Sequence, residues 1–111
     1  MGSLKRGDIV IVATQGDFGK PRPALVVQAD CFDEHPTVVI LLLTSDLREL
    51  PICRVDVKPT AENGLTKHSN VMVDKIVTVM REKIGAVVGS IDKKTMFEID
   101  NRLAVLLGIA Q

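Results

Sequence analysis

Tryptophan and tyrosine are absent from this chain, and phenylalanine occurs three times. That argues against a broad aromatic platform on which single-stranded bases stack. Cysteine is nearly absent too: Cys31 and Cys53 are the two present. Neither C-x-x-C nor zinc spacing relates them, so they read as reduced, small apolar residues of a cytosolic protein rather than as a disulfide. The two histidines are His35, before Pro36 in a polar turn, and His68 in a loop. Nothing in the pattern brings them together, so neither a metal site nor any other cofactor is expected. Net charge is lacking as well, with 14 basic and 14 acidic residues. A protein held to nucleic acid by its overall field is therefore disfavoured, whereas a local basic groove is not. The longest apolar run, Val38 to Leu43, is far too short to cross a bilayer, and no secretory signal precedes it. The expectation is a cytoplasmic protein without membrane contact.

What is present points to one folded unit. A chain of 111 residues with 46% apolar content can build a single core and is too short for two. Met1-Gly2-Ser3 reads as a cloning scar, with one domain over 4–111. The first two-thirds reads as strands. Asp8 to Ala13 is β-branched and bounded by turn residues, and Ala24 to Gln28 follows. Thr37 to Leu43 is apolar on both faces, as a central strand should be. Ile52 to Lys58 alternates. Asn63-Gly64 is turn chemistry suited to positive φ. Asn70 to Asp74 and Ile84 to Val88 are two further short strands, with an extended stretch between them. After Asp92, a good N-cap, Met96, Ile99, Leu103, Leu106 and Leu107 fall at helical spacing, and Gly108 is a plausible C-cap. The fold expected is mostly β, a small twisted barrel or sheet with one C-terminal helix packed on it.

Three clusters could carry chemistry. In "GKPRPALVVQ", Arg22 lies between Pro21 and Pro23. Each proline fixes its own φ and pushes its predecessor towards extended backbone, so the guanidinium starts from a stiff platform. A phosphate clamp needs such a platform. The plainer alternative is an edge blunted by prolines, with Arg22 a solvated cation. The loop before it supplies Gln15, Asp17, Phe18 and Lys20. Its glycines allow close backbone approach to a ligand, and Phe18 either stacks on a base or folds onto the core. In "LTSDLRE", Thr44 and Ser45 end the most apolar strand. They can donate to a phosphate oxygen or cap a short turn. In "VMVDKI", Asp74 and Lys75 end a strand, beside the same cleft or as an exposed ion pair.

In this order the clusters resemble the MazF/PemK family of toxins. The matching stretches are "KRGDIV", "GKPRPALVVQ", "LLLTSDLRELPICRVDV", "PTAENGLTKHSNVMVDKI" and "NRLAVLLGI", and they cover nearly the whole chain. The resemblance implies an SH3-like barrel of the CcdB/PemK-like toxin fold. It implies a homodimer that cleaves single-stranded RNA without a metal and is held in check by a cognate antitoxin. It also implies roles: Arg22 stands at the family's catalytic arginine, Thr44 at its threonine and Asp74 at an often acidic position. RNA would supply its own nucleophile, the 2′-hydroxyl. Two other readings compete. One is a CcdB-like inhibitor of gyrase without nuclease activity, although that branch ends in Trp-Gly-Ile and this chain ends Leu107-Gly108-Ile109-Ala110-Gln111. The other is a non-catalytic module that binds a peptide.

Overall fold

The computed structural model describes residues 4–13 and 20–110. Met1 to Ser3, and with them the suggested scar, lie outside the described residues, as do Gln15, Asp17 and Phe18. Six strands form one antiparallel sheet: β1 (Asp8–Ala13), β2 (Pro21–Val26), β3 (Thr37–Thr44), β4 (Arg54–Val57), β5 (Ser69–Met80) and β6 (Ile84–Ser90). Their order across the sheet is β4-β5-β3-β2-β1-β6. One helix, α1 (Lys93–Leu106), follows. The expected class, mostly β with a C-terminal helix, is the one observed.

The apolar β3 is central, with β2 on one side and β5 on the other. Both of its faces are covered, because successive side chains point to opposite sides. On one face Leu41 and Leu43 join Ile9, Leu25, Val71, Val73 and the helical Ile99 in one buried cluster. On the other, Val38 and Ile40 join Val10, Val12, Ala24 and Val26 in a second. The sheet can close over two cores because β5 bends. Leu41 faces Ile76 on β5 but Leu43 faces Val71, so β5 bulges between them. Its first part then pairs with β4. The open side between β4 and β6 is bridged by the turn after β4, where the Ser90 N–H donates to the Glu62 carbonyl at 2.8 Å. A Cβ on Gly89 would strike the backbone of Glu62 and Asn63, so that approach requires glycine. Gly64 has φ +69, as the Asn63-Gly64 signal predicts.

Besides β3, which gains Thr44, the bounds of four strands differ from the sequence reading. β2 begins at Pro21, not Ala24, and ends at Val26. Pro21 to Pro23 pair with β1 alone, since pairing to β3 starts at Ala24. A missing donor is tolerated where one side of a strand is open. β4 is shorter than expected, because the Cys53 and Arg54 N–H groups both donate to the Leu50 carbonyl and form a turn there. β5 is one twelve-residue strand that joins the expected Asn70 to Asp74 strand to the extended stretch after it, since the bulge bends it without breaking it. Finally, β6 runs on to Ser90.

The helix starts as read. The Asp92 carboxylate accepts from the Thr95 N–H at 3.0 Å and from its hydroxyl at 2.7 Å. Ile99 is fully buried, with Met96 and Leu103 packed beside it. Leu106 and Leu107 are exposed instead of completing the stripe. The helix ends there, with Gly108 at φ +76. Arg6 ties α1 to the sheet through a two-pronged bond to Asp100, at 2.5 and 3.1 Å, and one to the Val27 carbonyl at 2.8 Å. The thiols of Cys31, exposed, and Cys53, half-buried, are both free. No described helix is long and apolar enough to cross a membrane.

Candidate active site

The β2–β3 register explains how two residues far apart in sequence meet. Ala24 pairs with Leu42. In an antiparallel ladder each step back along β2 is a step forward along β3, so Arg22 comes opposite Thr44 two residues on. The ladder has ended there, and the strand ends open into a cleft of about 390 Å³. Arg22, half-buried, and Thr44 both line it, and both also line a smaller recess with Met72. Lys20, just before β2, and Ser45, just after β3, lie on the same cleft. The cleft's further wall is Leu65, Thr66, Lys67 and Ser69, from the segment between the Asn63-Gly64 turn and β5.

Thr44 does not open a helix. Its Oγ1 accepts from the Asp46 N–H at 3.1 Å, in a tight local turn. A hydroxyl that accepts in this way keeps its O–H to donate elsewhere. The segment after Thr44 is held from below by Asn70, its register partner on β5. Asn70 is fully buried. Its Oδ1 accepts from the Arg48 N–H at 2.8 Å and from the Arg54 guanidinium at 3.2 Å, and its Nδ2 donates to Asp56 at 2.6 Å. The same Arg54 nitrogen donates to the Asp46 carbonyl at 3.0 Å. The segment that carries Thr44 is thus anchored to the sheet by a buried, hydrogen-bonded amide.

Asp74 and Lys75 do not line the cleft. They are exposed in the bend of β5, and Asp74 is two residues from the recess-lining Met72. The histidines sit apart. His35 lies edge-on to Phe32, with ring centres 6.3 Å apart, and His68 Nε2 is 3.7 Å from Asp56. Sequence reasoning missed Thr66, Lys67, Ser69 and Asn70. For Asn70 a signal existed: asparagine is depleted in strands, so one at the head of "NVMV" implies a bonded role. For the other three there was none, since only the chain's return after the Asn63-Gly64 turn brings them to the cleft.

Residues 5–107 match the family described as PemK-like, MazF-like toxin of type II toxin-antitoxin system. The chain belongs to this family. It is 38% identical over 108 residues to the "Probable endoribonuclease MazF" of Mycolicibacterium smegmatis, covering 96% of this chain and 99% of that protein. Among solved structures it resembles an endoribonuclease in complex with its cognate antitoxin from a mycobacterial species. The TM-score is 0.83 and the identity 26%, over 98% of this chain and 99% of that one. A second mycobacterial endoribonuclease gives a TM-score of 0.78 at 28% identity, over 97% and 94%. These MazF-like relatives do not support the gyrase-inhibitor alternative.

Proposed function

We propose that this protein is the toxin of a type II toxin-antitoxin pair and cleaves single-stranded RNA at a phosphodiester held between Arg22 and Thr44. The observation that carries the reading is the shared cleft, onto which β2 brings a guanidinium and β3 a hydroxyl. In the reaction the 2′-oxygen attacks the adjacent phosphorus and loses its proton. The bond to the 5′-oxygen breaks, and that oxygen takes up a proton. The products are a 2′,3′-cyclic phosphate and a 5′-hydroxyl. Two negative charges develop on the phosphorane, and fixed donors aimed at them supply most of the acceleration. Arg22 is such a donor. A guanidinium keeps its proton in proteins, so its role is electrostatic rather than basic. Thr44 donates its free O–H to a non-bridging oxygen.

Lys20 and Ser45 contact the neighbouring backbone from the cleft rim. Asp74 and Lys75, on the bend beyond Met72, contact a base further along the strand; Gln15, Asp17 and Phe18 are base-contact candidates on sequence alone. No metal is required, the protein acts in the cytoplasm as a homodimer, and a cognate antitoxin occludes the groove. Support for the antitoxin comes from the mycobacterial complex. Support for the dimer comes from exposed apolar residues at the end of α1, among them Leu107 and Ile109. Light scattering that finds a monomer at micromolar concentration contradicts the dimer.

The test is cleavage of single-stranded RNA in EDTA by the wild type and by Arg22→Ala. The expected result is cleavage without added metal, reduced on the order of 100-fold or more in the variant, as for loss of one transition-state donor. Equal cleavage by both proteins, or none by the wild type, contradicts the reading.

A further inference from the structure

The formal charge of the chain is zero, yet the described lining of its cleft carries charge of one sign. Lys20, Arg22 and Lys67 line it, and among the described residues no carboxylate does. Lys20 and Arg22 belong to one wall, at the start of β2. Lys67 stands on the other, in the segment that enters β5. From these facts we infer that Thr66 and Lys67 form a second phosphate-binding wall, which takes the RNA phosphate next to the scissile one. The inference rests on the endoribonuclease reading.

The wall is built, not merely exposed. Leu65 is packed against the main core, and its N–H donates to Asn63 Oδ1 at 2.9 Å. Asn63 is itself buried and held: its Nδ2 donates to the Lys58 carbonyl at 2.9 Å, and its Oδ1 also accepts from the Thr60 N–H at 3.0 Å. At the other end, the buried Ser69 donates its hydroxyl to the Lys67 carbonyl at 2.9 Å. The backbone that carries Thr66 and Lys67 is therefore pinned on both sides, while their side chains stay exposed. The side chains of this segment divide between two sides. His68 and Asn70 lie against Asp56, while Lys67 and Ser69 line the cleft. A cleft of about 390 Å³ lies within the usual range for small-ligand sites, so it accommodates more than the one phosphoryl group held by Arg22 and Thr44. An ammonium on a flexible stem suits a flanking phosphate, where charge matters more than fixed direction.

The experiment measures binding of a random-sequence, fully 2′-O-methylated RNA 20-mer, which lacks the nucleophile, over a range of salt concentrations. The proteins are the wild type, Lys67→Gln and Lys67→Arg. Each phosphate contact on a single strand contributes about 0.7 to the slope of log affinity against log salt. Lys67→Gln is expected to lower the slope by about that amount and Lys67→Arg to restore it. On cleavable RNA the loss in Lys67→Gln should fall on KM rather than kcat. An unchanged slope overturns the inference while leaving wild-type cleavage, and hence the endoribonuclease reading, intact. A loss confined to kcat places Lys67 at the scissile group and overturns the flanking assignment. A wild type that neither binds the 20-mer nor cleaves RNA overturns both.

Discussion

Arg22 shows how much a residue's neighbours reveal and where they stop. The flanking prolines marked it as stiff, and stiffness follows from covalent geometry alone. What the prolines could not give was the partner, because Thr44 meets Arg22 only through the β2–β3 register. Asn70 is the converse case. Its importance lies wholly in tertiary bonds to Arg48, Arg54 and Asp56, none of which is near it in sequence. Removing its amide takes the acceptor from the Arg48 N–H and the Arg54 guanidinium and a donor from Asp56, at a cost of about 2 kcal/mol. Asn70→Ala is therefore expected to lower unfolding free energy by roughly that amount in urea titrations. It should also speed proteolysis within 45–53, the segment Asn70 anchors. Unchanged stability and unchanged proteolysis contradict the anchoring role.

Among the elements, the strands with clear alternation and the helix with a clear cap were legible. β1 has the boundaries read from the sequence, β3 gains one residue, and α1 starts directly after its predicted cap. β5 reads in the sequence as a short strand, Asn70 to Asp74, followed by an extended stretch, because its pattern changes at the bulge, where Asp74 and Lys75 become exposed. A bulge moves side chains to new faces without ending a strand, so periodicity cannot tell it from a break. The cap also gives the clearest pH dependence. The Asp92 carboxyl is held below its ordinary value first by the Thr95 hydroxyl and then by the Thr95 N–H. A depressed carboxyl contributes stability above its unfolded pKa and loses it as pH falls through the folded one. Asp92→Ala should thus cost about 1 kcal/mol at neutral pH, the usual value for a lost cap. That difference should shrink as pH falls below the ordinary carboxylate range near about 4. Urea titrations at both pH values check it, and a difference that grows in acid contradicts it.

At the scale of the whole molecule, the sheet's two cores and the turn that bridges β4 to β6 fix where the strand ends open. The cleft is a consequence of topology. β2 and β3 stop pairing two residues before Arg22 and Thr44, and the chain returning from the Asn63-Gly64 turn supplies the facing wall. Bulk composition hid this, since a neutral chain gave no hint of a cleft whose described lining carries three cations and no carboxylate. The family resemblance reached the first wall through the R-P and T-S stretches, and the coordinates were needed for the second. In the proposed reaction the RNA's own 2′-hydroxyl attacks a phosphate held by Arg22 and Thr44. The most direct measurement is end-group analysis of RNA cleaved in EDTA, repeated with a single 2′-deoxy nucleotide at the cut position. The expected products carry 2′,3′-cyclic phosphate and 5′-hydroxyl ends, with no cut at the deoxy site. Ends bearing 5′-phosphate, or cleavage that persists at the deoxy nucleotide, would contradict it.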